Sequence, residues 1–316
     1  MNAARVPFFL VATVLSLDSA IAAAKSEDSG LAQVLLQNGY RSVALQHSKE
    51  KGFVLAAKIN GKPARLAVSM TAPMSAIFRR AKGALAITER KSGSYLNSSL
   101  GPSNEEYGLA SGNSIELANM VMPATTFVVL DQSNTPAAPW HDIAGFLGEA
   151  ELYRLAAVLD CANSRLYLRP AGREPRVIDR IGQVLRARGF VSVPMRINSA
   201  HHFEVQSRVN SYQSIITVEP INSLTSITDR TAKAGRVPLT VPSEELVGVG
   251  GVRRTSHRAQ VAELVIGSFL IPNATVYVAN ANFDVLGLDQ LGRCSAVIDL
   301  GARRLYLHGR PIGSVN

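Results

Sequence analysis

Residues 31–77 return, without a gap, as residues 181–227 at a constant offset of 150, and this repetition restricts the fold more than any bulk property does. The stretch "LAQVLLQNGYRSVAL" faces "IGQVLRARGFVSVPM", and "FVLAAKINGKPARLAVSMTAPMSAI" faces "FEVQSRVNSYQSIITVEPINSLTSI". Ten pairs are identical, among them Gly39/Gly189, Phe53/Phe203, Asn60/Asn210 and Val68/Val218. A second match sets "GFLGEAELYRLAAVLDCANSRLYL" (145–168) against "DVLGLDQLGRCSAVIDLGARRLYL" (284–307) at an offset of 139, with eleven of 24 pairs identical. The shorter offset is absorbed mostly by the polar stretch 131–142, as a surface loop allows. Units of about 130 residues far exceed the roughly 20–50-residue periods of solenoids, so the chain reads as two homologous lobes.

Within each unit a short helical pattern comes first, Leu31–Gln37 and Ile178–Arg188, stopped by Gly39 and Gly189. The rest is β in character. "FVLAAKI", Asn60–Gly61 and "ARLAVSM" spell a hairpin, because Asn-Gly supplies the positive φ angles of a type I′ turn; the second unit keeps Asn210 but follows it with Ser211. Further strands are expected near 113–118, 124–130, 156–160 and 165–169, with counterparts near 260–266, 273–279, 295–299 and 304–308. The segments "GEAELYRL" and "GLDQLGRC" between them are short helical turns. The expected class is mostly β: two homologous barrel-like lobes with a few short helices, spanning 25–170 and 190–316 and joined by a basic segment, 171–189.

Residues 1–24 read as a secretory signal peptide: one Arg, an apolar run from Val6 to Leu17, then small residues with Ala-x-Ala sites. The run is too short to span a bilayer, for which roughly 20 residues are needed. The expected location is therefore periplasmic or extracellular. With 47% hydrophobic and 18% charged residues the remainder has the composition of a globular protein. Cys161 and Cys294 do not occupy equivalent repeat positions, so a disulfide between them would join the lobes.

The net charge of +9 raises nucleic acid as a partner. Basic residues are scattered, however, and their one concentration, 169–189, lacks interleaved aromatics for base stacking, which excludes that class and leaves a solvated linker and helix face or a contact with an anionic envelope component. The histidines (47, 141, 201, 202, 257 and 308) show no metal-ligand spacing. No cofactor motif is present, and a monomer is expected.

Taken together, the hairpin, the apolar strand running into Ser69 or Glu219, and the "VLGLDQLGRCSAVIDLGARRLYL" ending resemble the retropepsin-like and pepsin-like aspartic peptidases, in particular their exported bacterial members. The resemblance covers nearly all of 40–170 and 190–308. It implies two lobes, each bringing one Asp to a shared centre where the carboxyls share a proton and activate a water. The positions that match those aspartates hold Ser69 and Glu219; the flanking Thr and Gly positions hold Met70 and Thr71 in one lobe, Pro220 and Ile221 in the other. Ser69 cannot titrate near neutral pH. Pro220 lacks an N–H, and Thr71 and Ile221 add β-branched bulk where the family has glycine. In "ELVGVGGVRR", Gly248, Gly250 and Gly251 match the family's mobile flap.

Three functions are in competition: a hydrolytically inactive protein holding an extended peptide or unfolded segment in the inter-lobe cleft, an atypical endopeptidase built on Glu219, and a structural envelope protein. Asp160, Asp284, Asp289 and Asp299 are read as structural caps rather than replacement acids.

Overall fold

The computed structural model describes residues 30–48, 52–98, 101–131, 141–239, 242–247 and 253–309. The signal-peptide reading and the flap glycines Gly248, Gly250 and Gly251 lie outside the described residues.

The N-terminal lobe carries β2 (Gln46–Ser48), β3 (Gly52–Ile59), β4 (Lys62–Val68), β5 (Ala76–Phe78), β6 (Arg90–Ser98), β7 (Gly101–Leu117), β8 (Met120–Leu130) and β9 (Gly145–Leu147). They hydrogen-bond in the order β2, β3, β4, β9, β5, β8, β7, β6, and β3 also touches β7, which curls the sheet toward a barrel. The C-terminal lobe carries β13 (Arg196–Ile197), β14 (Phe203–Val209), β15 (Tyr212–Val218), β16 (Ser226–Thr228), β17 (Pro242–Val247), β18 (Arg253–Ile266), β19 (Phe269–Ala279) and β20 (Asp284–Leu286). Their order, β13, β14, β15, β20, β16, β19, β18, β17, with an extra β14–β18 pairing, is the same arrangement element for element.

The two hairpin turns differ in detail. Asn60 and Gly61 both take positive φ (49° and 73°), as a type I′ turn requires; in the second lobe Asn210 does (51°) and Ser211 does not. In both, the Asn side chain is also a structural tie, since Asn60 Nδ2 donates to the Leu85 carbonyl (3.1 Å) and Asn210 Nδ2 to the Gly235 carbonyl (2.8 Å).

The lobes are not separate barrels joined by a linker. A third, six-stranded sheet draws from both, in the order β1 (Arg41–Ala44), β11 (Arg165–Leu168), β10 (Val158–Asp160), β21 (Val297–Asp299), β22 (Arg304–His308), β12 (Phe190–Pro194). At its centre β10 pairs antiparallel with β21, placing Leu159 opposite Ile298 and Val158 opposite Asp299. The "LYL" segments shared by the repeats are thus the strands that flank the seam.

Helix α1 (Gly30–Gln37) and helix α3 (Pro175–Ala187) cover this sheet. The second spans the helical pattern expected at Ile178–Arg188: α3 buries Val177, Ile181 and Leu185 beside Leu31 and Leu35 of α1 and Tyr306 of β22, while its arginines face outward. The short helices α2 (Glu149–Arg154), α4 (Asp229–Ala234) and α5 (Leu288–Arg293) complete the lobes. No helix of the described residues is long and apolar enough to cross a membrane.

Candidate functional site

Strands β4 and β15 run out of the barrels at equivalent points, and the next residues, Ser69 and Glu219, begin two loops that meet at the seam. Each loop is held by the same backbone contacts. Ser69 N donates to the Leu147 carbonyl and Glu219 N to the Leu286 carbonyl, both at 3.1 Å; Glu149 N donates to Ala72 O and Leu288 N to Asn222 O, both at 2.7 Å. Below them, Ser75 Oγ accepts from Gly148 N and Thr225 Oγ1 from Gly287 N, both at 3.0 Å. The hydroxyls then donate to a carboxylate of the following helix, Ser75 to Glu151 at 2.5 Å and Thr225 to Asp289 at 2.6 Å. The scaffold beneath the two central positions is therefore alike in both lobes.

What it supports is not alike. Glu219 is 1% exposed and reaches across the seam. Its Oε2 accepts from Thr71 N (2.6 Å), Met70 N (3.1 Å) and Ser69 Oγ (3.2 Å), and its Oε1 from Ile221 N (3.1 Å) and Met70 N (3.2 Å). Ser69 Oγ in turn accepts from Ala72 N at 3.1 Å. Burial pushes the Glu219 carboxyl above the usual carboxylate range, opposed by the donors of Thr71, Ile221 and Met70, which favour the charged form.

The flanking residues fill space around this contact. Met70, 1% exposed, belongs to the main hydrophobic core, and Ile221 of the C-terminal lobe packs on an N-terminal-lobe cluster that includes Val54, Phe78 and Phe146. Gly52 is pressed against the same loop: a Cβ there would lie 2.5 Å from the Pro220 carbonyl oxygen and 2.7 Å from the Ile221 Cα. At the repeat-equivalent position His202 hydrogen-bonds the Thr71 backbone and lies 5.1 Å from the Phe283 ring; burial pushes its pKa down. Sequence reasoning missed Gly52 and His202. The signal for both was the 150-residue offset, which pairs them directly.

The remaining acids are structural in their contacts. Asp160 accepts from Asn163 N and Nδ2, Asp284 from Ser214, Thr228 and Thr231, Asp289 from Thr225 and Gln290, and Asp299 from Ala302 N. Cys161 and Cys294 are buried free thiols, so no disulfide joins the lobes; burial pushes Cys294 up to about 11 and Cys161 higher still. No group of three or more His, Cys, Asp and Glu side chains gathers among the described residues. A cavity of about 190 Å³ beside Phe190 and His308, and an outer groove of about 530 Å³ beside Ala56 and Arg80, both lie away from Ser69 and Glu219.

No protein-family model matches the sequence, and no curated protein matches it. Among solved structures, conglutin gamma, a basic 7S globulin from lupine seeds, superposes with a TM-score of 0.50 at 10% identity, over 87% of this chain and 96% of that one. Basic 7S globulin from soybean gives 0.48 at 11% identity over 87% and 96%, and a retropepsin-like aspartic protease from Rickettsia conorii 0.29 at 19% over 38% and 89%. At these identities the lupine structure bears on architecture alone. Two β-barrel lobes of matching strand order, sharing a six-stranded sheet, give this chain the aspartic-peptidase-like fold.

Proposed function

We propose that this chain is a non-hydrolysing protein of aspartic-peptidase-like fold, in which the former catalytic centre serves as a clasp between the lobes. The observation that carries the reading is the state of Glu219. Peptide hydrolysis on this fold needs two carboxyls sharing a proton over a water. Here the opposite position is a serine, the carboxylate is buried, and each of its oxygens already accepts from at least two protein donors. A group so saturated stabilises the seam and has no lone pair directed at a substrate water.

The role left to such a protein is binding, and we propose an extended peptide or unfolded segment as the ligand. What supports this is that, among the described residues, β6 and β17 end their sheets, leaving edges to which a strand can add without any catalytic group. Export is part of the same proposal and rests on the sequence of residues 1–24; N-terminal sequencing of secreted material, with a start near residue 25, is its test.

Incubating purified mature protein with unfolded casein between about pH 3 and 7 should release no fragments. Cleavage that disappears in Glu219→Gln would overturn the proposal in favour of an atypical endopeptidase. Absence of cleavage together with absence of binding to a peptide library would leave a purely structural envelope role.

A further inference from the structure

Tyr153, on α2 at the lobe seam, receives two guanidiniums on one hydroxyl. Arg173, from the turn before α3, donates Nη1 to Tyr153 Oη at 2.5 Å, and Arg303, from the hairpin between β21 and β22, donates Nη2 at 2.6 Å. The two donor nitrogens are therefore within about 5 Å of each other. Both guanidinium carbons also sit over the Tyr153 ring, 5.1 and 5.3 Å from its centroid, an arrangement the ring quadrupole favours. Arg173 Nε is fixed by the Gly301 carbonyl at 2.9 Å.

Like charges this close repel, and five arginines elsewhere each face a carboxylate. Arg79 pairs with Glu89 and Asp131, Arg65 with Asp142, Arg169 with Glu174, Arg208 with Glu263 and Arg253 with Glu245. Among the described residues Arg173 and Arg303 form no ion pair. The Asp299 carboxyl feels the field of Arg173, and the Glu149 carboxyl that of Arg303. Both are buried, and burial pushes both up, Asp299 to about 7, so Asp299 is only partly charged at neutral pH. Arg303 also holds φ at +53°, a left-handed conformation that glycine or asparagine fills at lower cost.

Each guanidinium offers five N–H donors. After Tyr153 and Gly301 are served, Nη2 of Arg173 and Nε and Nη1 of Arg303 have no protein acceptor among the described residues, and both side chains are exposed. One guanidinium satisfies a carboxylate; two guanidiniums brought together from different segments suit an anion with three or four oxygens.

We infer that Tyr153, Arg173 and Arg303 form a receptor for a tetrahedral oxyanion, phosphate or sulfate, at the lobe seam. The bound anion cancels the repulsion between the two arginines and ties together the N-terminal lobe, the inter-repeat segment and the C-terminal lobe. It also accounts for part of the chain's basic excess, and it is independent of whether Glu219 has any catalytic role.

The test is calorimetric titration of the full chain with inorganic phosphate, inorganic sulfate and glycerol 3-phosphate, at fixed ionic strength with chloride as the balancing anion. Saturable binding of phosphate and sulfate is expected, weakened about tenfold or more in Arg173→Gln and in Arg303→Gln. Tyr153→Phe, which removes the shared acceptor but no charge, should also bind more weakly. Arg230→Gln, an equal loss of charge at an exposed position of α4, should bind as wild type. Glycerol 3-phosphate binding as tightly as phosphate assigns a phosphomonoester as the ligand; binding of the free ions alone assigns those. No saturable binding over the chloride background, or an equal loss in Arg230→Gln, would overturn the inference, because only net charge would then be acting.

Discussion

A glutamate side chain is one methylene longer than aspartate, and at position 219 that reach carries its oxygens to the N–H groups of Met70 and Thr71 in the other lobe. The extra length that unfits a residue for a positioned dyad suits it for spanning a seam. Removing it in Glu219→Ala leaves three backbone N–H groups and the Ser69 hydroxyl, all buried or half-buried, without their acceptor. Each such group costs about 1–3 kcal/mol, and with partial relaxation the variant should lose about 3–5 kcal/mol of unfolding free energy. Glu219→Gln keeps one acceptor but turns an NH₂ toward N–H donors, for a smaller loss of about 1–3 kcal/mol. Urea titration followed by circular dichroism reads both; a Glu219→Ala midpoint equal to wild type would show that the clasp contributes nothing. The repeat offset named Ser69 and Glu219 as partners from sequence, since positions 150 apart in two like lobes meet at the seam. It could not show which way the carboxylate faces, because the choice between an open site and a clasp lies in the loop backbone and not in residue type.

At the scale of elements, the identical pair Gly148/Gly287 was legible and its reason was not. A Cβ on Gly148 would stand 2.5 Å from the Met74 carbonyl oxygen and 2.6 Å from Ser75 N; on Gly287 it would stand 2.4 Å from the Leu224 carbonyl oxygen. These neighbours are backbone, which cannot turn aside as a side chain does. The glycines therefore set how closely α2 and α5 approach the loops that carry positions 69 and 219. Gly287→Ala should separate α5 from the Leu224–Thr225 peptide and lengthen the Gly287 N to Thr225 Oγ1 bond, costing about 2–4 kcal/mol. The amide at position 287 should then exchange hydrogen faster than its counterpart at Gly148, measured by mass spectrometry; equal protection in the variant would count against the argument. The hairpins and short helices were readable because their signals are local. The parallel pairings of β4 with β9 and β15 with β20 were not, because they join strands separated by most of a lobe.

For the whole molecule, the shared sheet joins the lobes through residues whose burial has an electrostatic cost. The central strands β10 and β21 are three residues each and carry Asp160 and Asp299, and no periodicity in strands that short could have announced a sheet common to both lobes. Asp299 is fully buried, with one oxygen bound by Ala302 N and the other without a partner among the described residues, and its pKa is raised to about 7. An acid whose folded pKa exceeds its unfolded value binds more protons when folded. Its stabilising contribution is present in full below the unfolded value near 4 and is lost as pH climbs to about 7, after which the loss is constant. Glu219, Glu149 and Asp289, all raised by burial, act in the same direction. Glu89, held down by Arg79, and His202, pushed down by burial, act in the opposite one. Comparing wild type with Asp299→Asn isolates one contributor from this sum: asparagine keeps the oxygen that Ala302 binds and has no charge to bury. The variant should gain on the order of 2–4 kcal/mol over wild type at pH 8 and little at pH 4. Urea midpoints at four pH values between 4 and 8 decide it, since a difference that does not grow with pH would mean that Asp299 is ionised throughout and that the seam tolerates the charge.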